Sequence, residues 1–161
     1  VSGLRAETLL ELARASGATV TTAESCTGGM VAAAITDVAG SSEIFERGFV
    51  TYSNAAKTDL LGVSPVTLEV HGAVSEEVTR EMAVGALQAA HATVAVSISG
   101  IAGPGGSEFK PEGRVCFGLA TRDSVQTKTV EFGAIGRAEV RAAARDEALD
   151  LLVSALRDRQ V

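Results

Sequence analysis

The segment Thr93-Val-Ala-Val-Ser-Ile98 constrains this chain more than any other. It is short, β-branched, small and apolar on both faces, the pattern of a strand covered from both sides. Such a strand belongs in the middle of a sheet that lies between two layers of helices. The flanking sequence supplies those helices. Leu9, Leu12 and Ala13 follow helical spacing in an opening helix that ends near Gly17. Residues 18–22 read as a short strand, residues 30–38 as a second helix and residues 39–42 as a turn. Residues 49–52 form another strand, and Asn54 opens a short helix that runs to Leu61.

Ser64-Pro65 suits the cap and first position of a further helix. Glu76 and Glu77 suit the positive first turn of the next, whose buried stripe is Val78, Met82, Ala86 and Ala89. Two strands follow over residues 114–121 and 126–132, with Arg122-Asp-Ser124 as the hairpin turn. A long amphipathic helix closes the chain, with Val140, Ala144, Ala148, Leu151, Leu152 and Ala155 on one face. The expected fold is an α/β, three-layer α/β/α sandwich with a mixed, mostly parallel sheet, built as one domain over residues 1–161.

Composition narrows the function classes. Aromatic residues make up only 4% of the chain, so the core rests on Ala, Val, Leu and Ile. A hydrophobic content of 46% and mean hydropathy of +0.24 exclude a disordered tail. No apolar run approaches the ~20 residues of a membrane span. Arg5, Glu7, Glu11 and Arg14 interrupt any secretory core, so a cytoplasmic location is expected. With 14 basic against 20 acidic side chains, neither a nucleic acid nor a membrane is an expected partner. Cys26 and Cys116 make no metal pair or disulfide framework, and His71 and His91 read as helix-end residues. No metal and no cofactor are expected.

Two loops follow buried strands, where open α/β sheets collect their ligands. The first is Ala23-Glu-Ser-Cys-Thr-Gly-Gly29. Ser25, Cys26 and Thr27 are three adjacent nucleophile candidates, and the N–H groups around Thr27, Gly28 and Gly29 are candidates to hold an oxyanion. A plain helix cap explains the same residue types. The extended backbone there puts Ser25 and Cys26 on opposite sides, so only one of them is expected to face a substrate. The second loop is Ser99-Gly-Ile-Ala-Gly-Pro-Gly-Gly-Ser107, a glycine-rich turn able to cradle an anion or to serve as a flexible surface loop. It fits neither nucleotide-binding fingerprint. Lys57 is either a solvated helix lysine or a desolvated base, and Tyr52 stands at a strand end. Arg137 and Arg141, four apart, either grip a phosphate or pair with Glu139, Asp146 or Glu147.

Several further segments occur in order with these: Gly40-Ser-Ser42, Gly48-Phe-Val-Thr-Tyr-Ser-Asn54, Leu61-Gly-Val63, Gly72-Ala-Val-Ser75 and Lys110-Pro111. Together they resemble the CinA C-terminal domain family, and within it most nearly the stand-alone nicotinamide-nucleotide amidases (NMN deamidases). The resemblance covers nearly the whole chain. It implies hydrolysis of the carboxamide of nicotinamide mononucleotide to nicotinate mononucleotide and ammonia, in pyridine nucleotide salvage, by a homodimer. It implies Ser25 as nucleophile and Lys57 as base, with Tyr52 nearby. Ser99, Gly100, Ile101, Ala102, Gly103 and the rest of the 100–106 loop, with Arg137 and Arg141, would hold the nucleotide and its phosphate. Two segments depart from the family pattern: Glu112-Gly-Arg114 replaces a usual Val-Gly-Thr, and Ile135-Gly-Arg137 replaces Gly-Asp-Arg. A non-catalytic nucleotide-binding module of the CinA type is the alternative reading.

Overall fold

The computed structural model describes residues 2–107 and 109–159. In chain order the elements are α1 (Ser2–Ser16), β1 (Val20–Glu24), α2 (Met30–Thr36), β2 (Phe49–Val50), α3 (Asn54–Leu61) and α4 (Pro65–His71). They continue with α5 (Glu76–Ala90), β3 (Val94–Gly100), β4 (Arg114–Thr121), β5 (Val125–Glu131) and α6 (Arg137–Arg159). The strands form one sheet in the order β2-β1-β3-β4-β5, so the segment that opened the sequence reading is the central strand.

The sheet is mixed, as expected, but it is not mostly parallel. Parallel pairing covers β2–β1 and β1–β3, while β3–β4 and β4–β5 are antiparallel, so the two kinds share the sheet equally. The two connections after β3 cause this. The short turn 122–124 can only reverse the chain between β4 and β5, and the helix-free loop 101–113 returns the chain antiparallel beside β3, whereas the first three strands are joined by helical crossovers. Helices α1, α2 and α6 cover one face and α3, α4 and α5 the other, completing the three layers.

The two faces of the central strands differ in bulk. Val94, Val96 and Ile98 of β3, with Val115 and Phe117 of β4, point into the core under α1 and α6. The opposite face carries Ala95 and Ser97 of β3 and Gly118 and Ala120 of β4. Helix α5 therefore lies very close to the sheet: a Cβ at Gly118 would collide with the Thr79 carbonyl. Ser97 Oγ donates to that same carbonyl at 2.6 Å, satisfying a hydroxyl that the thin layer would otherwise strand.

Most element boundaries and buried faces follow the sequence pattern, with four informative differences. The cap of α3 is Ser53, whose side chain accepts from the Ala56 N–H, and Asn54 is the first helical residue. The α5 stripe ends on buried Ala90, four residues after Ala86 and so one helical turn along the same face, and Ala89 faces solvent. Strand β1 starts two residues later than expected and continues through Glu24, which the sequence pattern assigns to the loop. Leu151 of α6 is only partly buried, and Leu149, Val153 and Leu156 complete the covered face. Among the described residues, no helix is long and apolar enough to cross a membrane.

Candidate active site

The three parallel strands all end at one edge of the sheet, so the segments after β1, β2 and β3 meet there. Pairing carries the chain into the site: Ser25 N donates to the Ile98 carbonyl at 2.9 Å, and Thr51 N to the Glu24 carbonyl at 2.8 Å. Between these segments lies a cleft of about 340 Å³. Ser25, Tyr52, Lys57, Ser99, Gly100, Ile101, Ala102, Gly103 and Arg137 line it, all of them anticipated from sequence.

At its floor Lys57 Nζ lies 3.0 Å from Ser25 Oγ. The lysine, from the first turn of α3, is 1% exposed. Burial drives its pKa down from 10.5 to about 8. Two main-chain acceptors face the same nitrogen, the Thr51 carbonyl at 2.8 Å and the Tyr52 carbonyl at 3.5 Å. A neutral amine has two N–H bonds and one lone pair. With the N–H bonds directed at the carbonyls, the lone pair is left for the Ser25 hydroxyl. The arrangement suits proton abstraction from that hydroxyl.

The turn carrying Ser25 is held from within by Glu24, a fully buried carboxylate. Its Oε1 accepts from Thr27 Oγ1 at 2.6 Å, Gly29 N at 3.2 Å and Val31 N at 3.0 Å, and its Oε2 from Ala32 N at 3.0 Å. Those main-chain donors include the unpaired N–H groups at the start of α2, so one side chain both caps the helix and folds the turn onto it. Gly28 and Gly29 adopt φ of +56° and +104°, a conformation that favours glycine. From outside, Arg141 Nε donates to the Cys26 carbonyl at 2.9 Å and its terminal nitrogen to the Thr27 carbonyl at 3.4 Å.

These contacts correct several expectations. Thr27, Gly28, Gly29 and Arg141 do not line the cleft. Thr27 is fully buried and spends its hydroxyl on Glu24, while the Gly28 N–H donates to the Ser25 carbonyl at 3.0 Å. The Thr27 hydroxyl and the Gly28 N–H are thus engaged within the turn itself. Arg141 braces the turn instead of reaching the cleft. Cys26 does line the cleft beside Ser25, because the strand ends at Glu24 and the turn that follows is no longer extended. Burial raises its thiol pKa to about 11, so it is not a thiolate at neutral pH and makes a poor nucleophile.

Arg137 opens α6 at the cleft rim, where it donates to the Gly103 carbonyl at 2.6 Å and to the Tyr52 hydroxyl at 3.1 Å. Neither Arg137 nor Arg141 pairs with a carboxylate among the described residues. Sequence reading missed Lys110 as a lining residue. Its Nζ donates to the His71 and Val74 carbonyls, both at 2.6 Å, tying the glycine-rich loop to the segment before α5. The Lys110-Pro111 pair was the available signal. Glu24 was visible too, but nothing in its spacing announced burial.

Residues 4–156 match the CinA C-terminal domain. The chain belongs to that family. Among relatives of the CinA C-terminal domain, a nicotinamide-nucleotide amidohydrolase PncC from Enterobacter agglomerans is 68% identical over 111 residues, 68% of either chain. The one from Escherichia coli is 70% identical over 109 residues, 67% of this chain and 66% of that protein. A CinA-like protein from Chlorobium phaeobacteroides is 52% identical over 146 residues, 88% of this chain but 35% of that longer protein. Among solved structures, the competence/damage inducible protein CihA from Agrobacterium tumefaciens superimposes with a TM-score of 0.93 at 45% identity, covering 97% of this chain and 95% of that one. A CinA superfamily protein from Klebsiella pneumoniae gives a TM-score of 0.94 at 37% identity, covering 98% and 99%.

Proposed function

We propose that this CinA-family protein hydrolyses the carboxamide of nicotinamide mononucleotide to nicotinate mononucleotide and ammonia, in pyridine nucleotide salvage. The observation that carries the chemistry is the buried Lys57 Nζ, 3.0 Å from Ser25 Oγ at the cleft floor. The names of the amidohydrolase relatives supply the substrate.

In the proposed mechanism, neutral Lys57 takes the Ser25 proton as Oγ bonds to the amide carbon. The resulting ammonium stands beside the negative charge that develops on the substrate and stabilises it. Collapse of the intermediate breaks the C–N bond, and Lys57 returns its proton to the departing ammonia. Water, deprotonated by Lys57, then cleaves the Ser25 ester and releases the acid. Tyr52 and the wall formed by Ser99, Gly100, Ile101, Ala102 and Gly103 hold the nucleotide, with Arg137 at the phosphate end. A homodimer in the cytoplasm completes the reading, to be tested by sedimentation velocity and cell fractionation.

Ammonia release from nicotinamide mononucleotide tests the reaction. The wild type is expected to be active. Ser25→Ala and Lys57→Ala are each expected to lose at least about 10³-fold in kcat, as members of one unit do. A folded wild type that binds the nucleotide without releasing ammonia rejects the amidase in favour of a binding module.

A further inference from the structure

The glycine-rich loop is built like an anion cradle, yet it is already filled. Gly103 and Gly105 adopt φ of +94° and +80°, which turns the main chain into a small hollow. The half-buried Glu112 side chain lies across it. A Cβ on Gly103 would come within 2.7 Å of the Glu112 carboxyl carbon, and the Gly105 N–H donates to Glu112 Oε1. The loop's capacity to bind an anion is thus displayed by the carboxylate it holds. On its other side the Gly103 carbonyl accepts from Arg137. One glycine therefore separates an intramolecular anion from a cation that no carboxylate neutralises by contact among the described residues.

We propose that Glu112 is a specificity-determining residue: it occupies the hollow of the 103–105 loop as a built-in anion, closes that hollow to phosphate, and leaves the Arg137 end of the cleft to receive it. This deepens the proposed function, because it assigns the two ends of the nucleotide. A phosphate entering the hollow would have to displace the carboxylate from the Gly105 N–H and then remain beside it. Like charges at that distance repel, and the N–H has only one hydrogen to give. At Arg137 the guanidinium keeps unused N–H donors beside those on Gly103 and Tyr52.

The test uses inorganic phosphate as the probe, titrated calorimetrically into the intact protein without substrate. Glu112→Gln keeps an acceptor for the Gly105 N–H and removes the charge; phosphate is expected to bind about threefold more tightly. Glu112→Ala also empties the hollow and frees the N–H, and a gain of about tenfold is expected. The isosteric glutamine variant guards against loop collapse in the alanine one. Phosphate affinity that fails to rise in either variant, whether or not binding is measurable, overturns the proposal. Ammonia release is assayed separately. A protein that shows the affinity gains but no amidase activity retains the filled hollow and loses the proposed reaction.

Discussion

The two loops that form the cleft end neighbouring parallel strands, and each is held by a glutamate, yet they are held in opposite ways. Glu24 grips the turn 25–29 from inside the protein, fully buried, with four donors on its two oxygens. Glu112 grips the 103–105 loop from a half-buried position, through a single N–H. A buried carboxylate with every oxygen engaged is expensive to disturb and fixes geometry. A partly exposed carboxylate is cheap to disturb and contributes mainly charge. The first loop is thereby suited to placing one hydroxyl 3.0 Å from an amine, and the second to sorting what enters.

Substitutions can break this contrast or sharpen it. The largest effect on stability is expected from Glu24→Gln. Its amide would set an N–H donor against main-chain donors at the start of α2, costing about 3 kcal/mol of stability in a denaturant titration. Because Ser25 moves with the turn, kcat should also fall, by roughly tenfold or more. A variant that is as stable and as fast as the wild type would show that the turn does not depend on Glu24.

Next comes the charge on Lys57. Its pKa is lower in the folded protein, about 8, than the ordinary 10.5, so the unfolded chain binds more protons between those values. Stability therefore rises as pH increases through that window, and the full penalty of about 3 kcal/mol applies below it. Lys57→Met removes the penalty but leaves the Thr51 carbonyl without its partner, so a net gain of about 1–2 kcal/mol is expected at pH 7. The gain should fade between pH 8 and 10.5. The same titration gives the activity profile its shape: kcat/KM should climb with pH and level off above about 8. A profile flat from pH 6 to 9 contradicts the base role.

The smallest effect is expected at the rim. Arg137→Gln should raise KM for the nucleotide about tenfold while changing kcat less, since the contact is made before and during reaction alike. Steady-state kinetics separates the two. A loss confined to kcat would move Arg137 from the recognition loop's side of the comparison to the chemical side.

How much of this was legible in the sequence depended on whether periodicity carried the information. The central strand, the α5 stripe from Val78 to Ala86 and the long α6 face follow from spacing, because burial on one face repeats with the element. Ser25 and Lys57 came within reach because strand ends and family motifs marked them. The brace residues did not. Arg137 and Arg141 lie on the same side of α6, but one turn of helix takes the second behind the turn at Cys26, a depth that helical spacing does not encode. Glu24 looked like a loop residue because its burial is made tolerable by donors from a helix that had yet to be folded against it. Cys26 reached the cleft because the backbone turned one residue before an extended geometry would have hidden it.

Gly118 touches none of the groups in the cleft and lies under the first turn of α5, against the Thr79 carbonyl. It acts as a shim of zero thickness. Helix α5 begins at Glu76, just after Ala73 and Val74, which form one wall of the cleft. Any side chain at Gly118 would jack the helix off the sheet and carry that wall with it. The aperture of the site is thus gauged from its back, and a substitution that touches no ligand could retune which amides enter.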